Sequence, residues 1–210
     1  MGNNYNSIAR SYDALSRIVF QNAIVKAQAH LIQFIKDDDK VLIAGGGTGW
    51  ILEKISELEK KNVMVVYVEK SSAMISLAQK RNRKNIHVEF VHTAVEGFQA
   101  NETFDVILTA FLFDNFLKDK IASVFIKLDG LLKQNGIWLY ADFINNPPKS
   151  KIWQKMLLKT MYLFFRLTAN IETQQLIDMQ PYFSNKYQMF SQQFFYSQFI
   201  RSAAYKKKLV

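Results

Sequence analysis

Three glycines at alternate positions, Gly45, Gly47 and Gly49, interrupt the run Val41-Leu42-Ile43-Ala44-Gly45-Gly46-Gly47-Thr48-Gly49-Trp50 where strand-like residues give way to a helical pattern. Glycine lets the backbone approach a ligand closely, and the helix that follows presents free N–H groups at its positive end. The chemistry this suits is the cradling of a nucleotide-like ligand. A dinucleotide loop needs G-x-G-x-x-G, but the sixth position counted from Gly45 is Trp50; a Walker-type loop needs Gly-Lys-Ser or Gly-Lys-Thr, and neither follows. What stands is G-x-G-x-G. Glu69, 20 residues after Gly49 and at the end of a valine-rich run, can accept hydrogen bonds from both hydroxyls of a ribose. The absence of cysteine excludes a disulfide framework, thiolate catalysis and a Cys-based zinc site. His30, His87 and His92 show no metal-ligand spacing, so no metal is expected.

The elements that must hold these residues alternate from residue 40 onward between short β-branched runs and longer helical patterns, as a parallel α/β sheet requires. Strands are expected over 40–44, 63–68, 86–91, 104–110 and 137–143. The second is almost wholly valine, with Met64 and Tyr67 interrupting, and reads as buried on both faces. Helices are expected over 48–60, over 72–81 with Ser71 or Ser72 as N-cap, and over 119–133, where Gln134-Asn135-Gly136 predicts a left-handed glycine cap. Asn145-Asn146-Pro147-Pro148 breaks the pattern, and helices over 151–167 and 173–179 are expected beyond it, the latter leading to Pro181. Residues 186–190 and 194–205 read as two strands of a hairpin. At 210 residues one domain is expected: a helical cover over 1–39, a cofactor-binding core over 40–143, a helical insertion over 149–182 above the acceptor, and terminal strands over 186–206.

Residues 41–143 resemble the class I S-adenosylmethionine-dependent methyltransferases, whose first motif reads Val-Leu-acid-x-Gly-x-Gly-x-Gly at the end of strand one. The resemblance implies a Rossmann-like, seven-stranded, mostly parallel sheet with helices on both faces and a C-terminal antiparallel hairpin strand. It also implies S-adenosylmethionine as cofactor, with S-adenosylhomocysteine as product. Carried over, Ala44, Gly45, Gly46, Gly47 and Gly49 form the cradle of the methionine part, and Glu69 reads the ribose. Ser71-Ser72-Ala73-Met74 and Ala78 match the family's next helix, so Lys70 and Met74 flank adenine or ribose, although Met74 equally suits core packing. The family's usual Gly-Asp-Ala after strand three is His92-Thr93-Ala94 here, which leaves the Thr93 hydroxyl and the Ala94 backbone for the adenine, with His92 a strand-end residue. Ile43 stands where the family's first acid falls and cannot hydrogen-bond the ligand's ammonium, which predicts a weaker hold or a hold from elsewhere.

Phe104-Asp105-Val106-Ile107-Leu108 matches the family's fourth strand, where the Asp is structural. Beyond it Thr109, Ala110, Phe111 and Leu112 are expected to face the methionine part and the methyl, with Ala110 and Phe111 as cofactor contacts and Phe113 and Asp114 lining the site. Asp114 deprotonates or orients an acceptor, or caps the next helix. The opening Tyr5-Asn6-Ser7-Ile8-Ala9-Arg10-Ser11-Tyr12-Asp13 is similar to the start of the ubiquinone and menaquinone biosynthesis methyltransferases, which makes Tyr12 the second catalytic candidate. Methyl transfer from a sulfonium is an in-line displacement with a neutral leaving group, so the protein chiefly holds the nucleophile against the methyl and no triad is required.

The 151–167 stretch is apolar around nearly its whole circumference, with Lys149, Lys151, Lys155, Lys159 and Arg166 interspersed. Core packing, a homodimer interface, an amphiphilic acceptor and peripheral contact with an anionic membrane all suit that pattern. The expected function is methylation of a small hydrophobic or amphiphilic acceptor. Ile43 and Thr93, each replacing a polar contact, keep open a non-catalytic binding or scaffold protein. An aminopropyl transferase would need more acids than Asp114 and Asp142 near strand four. RNA methylation draws only on the net charge of +9, 27 Lys and Arg against 18 Asp and Glu, which is dispersed and forms no nucleic-acid module, so nucleic acid is not an expected partner. No stretch approaches the roughly 20 apolar residues of a membrane span, and the polar start at Asn3, Asn4 and Asn6 lacks a secretory pattern, which predicts a cytoplasmic protein.

Overall fold

A computed structural model of the chain describes residues 22–84, 86–144, 156 and 177–208. In chain order the elements are α1 (Ala23–Ile32), β1 (Lys40–Ala44), α2 (Trp50–Ser56), β2 (Val63–Glu69), α3 (Ser72–Gln79), β3 (Ile86–His92), β4 (Phe104–Ala110), a 3-10 turn (Phe113–Asn115), α4 (Lys118–Leu131), β5 (Leu132–Phe143), α5 (Gln180–Ser184), β6 (Tyr187–Phe195) and β7 (Ile200–Lys207). The seven strands form one sheet in the order β3-β2-β1-β4-β5-β7-β6. β1 to β5 pair in parallel, and β7 lies antiparallel between β5 and β6. From β1 the chain builds outward to β2 and β3, then crosses back to lay β4 on the other side of β1. The crevice for a ligand in such a sheet opens at that reversal, beyond the carboxyl ends of β1 and β4.

Strand alternation sends the side chains of each central strand to two separate cores. One face packs Val41, Ile43, Val65, Tyr67, Leu108 and Leu139 against Leu31 of α1 and Ile51 and Ile55 of α2. The other packs Leu42, Val66, Ile107, Trp138 and Tyr140 against Val124, Phe125 and Leu128 of α4 and Phe183 of α5. The expected Rossmann-like sheet covered by helices on both faces is therefore present.

Polar side chains tie the antiparallel edge to the parallel core. The buried Asp129 carboxylate on α4 accepts from Lys186 Nζ at 2.7 Å and from the Tyr187 hydroxyl at 2.6 Å, and pairs with Lys207 Nζ at 3.1 Å. On the opposite face the Ser202 hydroxyl of β7 donates to the Ala27 carbonyl of α1 (2.9 Å) and lies 2.8 Å from His30 Nδ1. With the Ser202 proton spent on Ala27, His30 Nδ1 is the donor of that pair, which leaves Nε2 to accept from Ser191 at 3.1 Å.

Several boundaries differ from expectation. The expected glycine cap after α4 is absent: the helix ends at Leu131 with extended Leu132 as its C-cap, and the left-handed backbone falls later, on Asn135 within β5 (φ 64°). Pro181 lies in the first turn of a helix, α5, where a missing N–H is harmless. The hairpin reverses at Tyr196, Ser197 and Gln198, with φ of 52°, 53° and 68°, and not near residue 192. None of these three is a customary left-handed residue, so no turn signal marked the place. α2 ends at Ser56, short of the expected 60, and Met64 is exposed on a β2 otherwise buried. Tyr12, most of the 1–39 cover, all but residue 156 of the helix expected at 151–167, and residues 173–176 of the helix expected at 173–179 lie outside the described residues, while 177–179 are not helical.

Candidate cofactor and acceptor site

The glycine loop leaves β1 at Gly45 and enters α2 at Trp50, and three of its glycines hold the left-handed backbone: Gly45 (φ 72°), Gly47 (φ 65°) and Gly49 (φ 76°). Side chains are strained there, so the G-x-G-x-G spacing is the spacing of the positive φ angles. Space adds a second constraint. A Cβ on Gly45 would stand 2.7 Å from Leu112 Cδ1, and one on Gly49 would stand 2.5 Å from Ala78 Cβ, whereas one on Gly47 would meet nothing within 4 Å. Gly47 is therefore the open point of the cradle, and the two outer glycines press it against the turn after β4 and against α3.

Glu69 reaches this loop from the end of β2. Its carboxylate accepts the Gly47 N–H at 3.0 Å through Oε2 and the Ser71 N–H at 2.8 Å through Oε1. Ser71 in turn caps α3, its hydroxyl accepting from the Met74 N–H at 3.2 Å. The loop is held by two further side chains that the sequence patterns did not single out. The fully buried Tyr67 hydroxyl donates to the Gly47 carbonyl at 2.8 Å, and Arg81 Nε donates to the Thr48 carbonyl at 3.0 Å. A lone tyrosine in a valine strand, two residues before the acid, was the only trace of the first in the sequence; the arginine just beyond α3 left none.

Lys70 is exposed beside Glu69, while Met74 is 2% exposed and packs in the core. Past β3 the Thr93 N–H donates to the Glu69 carbonyl at 3.1 Å, which brings half-buried Thr93 and Ala94 next to the loop. Exposed His92 lies at the strand end with Nε2 3.0 Å from the Lys70 carbonyl. Ile43 is 1% exposed within the apolar core, so the position of the family's acid is a packing position.

On the β4 and β5 side the expected lining divides. Thr109 faces the core, fully buried, and its hydroxyl accepts the Trp138 indole N–H at 2.9 Å, so it cannot meet a cofactor. Ala110 and Phe111 are half-buried, and Phe111 takes a left-handed backbone (φ 56°) with its N–H donated to the Ala141 carbonyl at 2.8 Å. Leu112 abuts Gly45, which joins the post-β4 turn to the glycine loop. Asp105 is structural: it accepts the Lys40 N–H at 3.0 Å and pairs with Lys133 at 2.8 Å.

Asp114 does not cap α4, whose N-cap is Leu117 with no side-chain bond; it accepts instead from Asn115 Nδ2 at 2.6 Å. Behind it, at the carboxyl end of β5, Asp142 is 3% exposed and accepts backbone N–H groups from Phe143, at 2.8 Å, and from Phe113 and Asp114. Burial pushes the Asp142 carboxyl from its ordinary 3.8 up to about 7. Burial, reinforced by the neighbouring Asp142 charge, raises Asp114 well above the usual carboxylate range. Charge on either carboxyl disfavours charge on the other, and the three N–H bonds stabilise the ionised form of Asp142, so Asp114 is the member of the pair that holds a proton more tightly. Among the described residues no group of His, Asp and Glu is arranged to hold a metal, and no helix is long and apolar enough to cross a membrane.

Comparison with known proteins agrees with this layout. Residues 41–136 match the family model described as a methyltransferase domain. A malonyl-[acyl-carrier protein] O-methyltransferase of Bacillus cereus is 30% identical over 140 residues, which is 61% of this chain and 49% of that protein. The chain thus spans about half the length of the curated relatives it matches. Among solved structures, the DhpI complex with S-adenosylhomocysteine superposes with a TM-score of 0.71 at 14% identity, covering 98% of this chain and 94% of that one. The magnesium protoporphyrin IX methyltransferase of Synechocystis, also with S-adenosylhomocysteine bound, gives 0.65 at 13% identity, covering 91% and 85%. With its glycine cradle, its strand-end acid and its sheet order all in place around the matched segment, the chain carries a methyltransferase domain over residues 41–136 in the fold shared with these S-adenosylhomocysteine-bound structures.

Proposed function

We propose that the protein binds S-adenosylmethionine across the carboxyl ends of β1, β2 and β4 and transfers its methyl group to a small hydrophobic or amphiphilic acceptor. The observation that carries this reading is the Glu69 carboxylate, buried at the lip of the loop and already bonded to the Gly47 N–H. Each carboxylate oxygen accepts two hydrogen bonds, so both retain a lone pair for a ribose hydroxyl. The residues that would hold the cofactor are Ala44, Gly45, Gly46, Gly47 and Gly49 along the methionine part, Glu69 and Lys70 at the ribose, Thr93 and Ala94 at the adenine, and Ala110 and Phe111 near the methyl. Met74 supports this wall from the core. When bound, the cofactor supplies an electrophilic methyl on a sulfonium.

The chain's own contribution is placement and proton handling. Asp114, in its protonated form, donates a hydrogen bond that orients the acceptor's nucleophilic atom, and Asp142 takes up negative charge behind it more readily. Tyr12 is proposed to close the acceptor side. One domain over 1–210, with the 149–182 segment above the acceptor, belongs to this reading, as do a cytoplasmic location and a homodimer or peripheral membrane contact. The B. cereus relative acts on a malonyl group on an acyl-carrier protein, so a carrier-bound carboxylate is the first acceptor to assay.

The test is titration calorimetry with S-adenosylmethionine and S-adenosylhomocysteine, followed by a survey of acceptors with methyl-labelled cofactor. Binding of both, with label entering an apolar or amphiphilic acceptor, is expected. No binding of either at millimolar ligand would favour the scaffold reading, for which Ile43 in the acid's position is the motivating observation.

A further inference from the structure

We propose that Tyr67 is a positioning residue for the cofactor loop, its phenol on β2 holding the loop from beneath, beside an Ile43 on β1 that offers no polar atom. The inference rests on reading residues 45–49 as the cradle of S-adenosylmethionine, and four observations carry it.

The first is register. Ile43 and Tyr67 are paired across β1 and β2, so their side chains leave the sheet on the same face as lateral neighbours. Ile43 is 1% exposed among apolar residues, and the nearest strand partner to carry a polar atom is the tyrosine. The second is the hydrogen bond. Tyr67 is fully buried, and a buried phenol O–H must find an acceptor; it takes the Gly47 carbonyl at 2.8 Å. The third is the pairing of that bond with another from the same face of β2. Tyr67 and Glu69 are two residues apart, and Glu69 accepts the N–H of the residue whose carbonyl Tyr67 holds. The peptides on both sides of the Gly47 Cα are thereby fixed, at the one loop position left open toward a ligand and held at φ 65°.

The fourth is Gly46. The family motif leaves this position open to any residue, and Gly46 does not take a positive φ, so neither the motif nor the backbone requires glycine. Tyr67 does: a Cβ on Gly46 would stand 2.0 Å from Tyr67 Cζ and 2.5 Å from its Oη. Gly46 and Tyr67 are a matched pair in which the absence of one side chain admits the ring that holds the next residue. Core packing alone, including the tilted contact with Phe90 at 5.2 Å, would need only the ring.

Tyr67→Phe separates the two roles, because it keeps the ring and removes the O–H. Titration with S-adenosylhomocysteine should show binding weaker by about five- to tenfold, the worth of one net hydrogen bond in loop placement. The free protein's Thr48 amide nitrogen resonance, which reports the bond on the preceding Gly47 carbonyl, should move. Wild-type affinity together with an unmoved Thr48 signal overturns the proposal while leaving the cofactor reading intact. A wild-type protein without affinity for S-adenosylhomocysteine overturns both. The pairing has its own test: Gly46→Ala should abolish binding in the wild-type background and have no further effect on Tyr67→Val. Equal harm in both backgrounds contradicts it.

Discussion

Each oxygen of the Glu69 carboxylate accepts one backbone N–H, from Gly47 and from Ser71, so the residue that would read the ribose also holds the loop and the entry to α3. Replacing it removes both functions. Glu69→Ala should weaken S-adenosylhomocysteine binding by about 1.5 to 3 kcal/mol, the scale of a hydrogen bond to a charged group, measured by calorimetry; an unchanged affinity would contradict the ribose role. Glu69 was legible because its identity and its distance from the loop both bear on one ligand. The acids beyond it were legible only as acids. That Asp142 is buried behind Asp114 follows from a parallel register between β4 and β5 that no motif encodes. Its carboxyl, raised to about 7, stays protonated in the fold over a range where the unfolded chain has ionised. The folded state binds the extra proton there, so the contribution of Asp142 to stability falls as pH rises from about 4 to about 7 and then levels. Asp142→Asn cannot titrate. Its stability relative to wild type, from urea unfolding across that range, should therefore improve as pH rises, and a constant difference would refute the assignment.

Among the elements, the parallel strands and their helices were readable from periodicity, because the inner strands β1, β2, β4 and β5 pack on both faces and each helix on one. The errors fell at ends and reversals, where local chemistry is overruled by contacts from afar. Gly136 looked like the α4 cap, yet the helix ends at Leu131 and runs directly into β5. Pro181 looked like a stop and begins a helix. The β6–β7 reversal at Tyr196, Ser197 and Gln198 had no glycine or asparagine to announce it. What secures that hairpin is distant in sequence: Asp129 of α4, holding Lys186, Tyr187 and Lys207. These donors keep its carboxyl below the usual range, so their stabilisation is full above the unfolded value near 3.8 and is lost as pH falls through the depressed one. Asp129→Asn should lower stability at neutral pH by about 2 kcal/mol. Thermal denaturation should read this as a drop of about 4 to 8 °C. The deficit should shrink at low pH, and a deficit that does not change with pH would deny the charged role.

For the whole molecule, the order β3-β2-β1-β4-β5-β7-β6 converts a one-dimensional motif into a site. In a sheet of this kind the reversal of direction at β1 and β4 is where a ligand crevice opens, and the glycine loop stands at that point. β2 delivers Glu69 and Tyr67 to one side of it, and β4 and β5 deliver Phe111, Asp114 and Asp142 to the other. Alternating β and α patterns and the glycine loop made this architecture legible from residue 40 to residue 143. The acceptor side was not legible in the same way, because in-line methyl transfer imposes no fixed nucleophile or triad on the sequence. The central claim is that the crevice above residues 45–49 is a site for S-adenosylmethionine, and calorimetric titration of the whole protein with S-adenosylhomocysteine tests it most directly. One-to-one binding in the micromolar range, weakened by Glu69→Ala, is the predicted result; no heat of binding at millimolar ligand would contradict it.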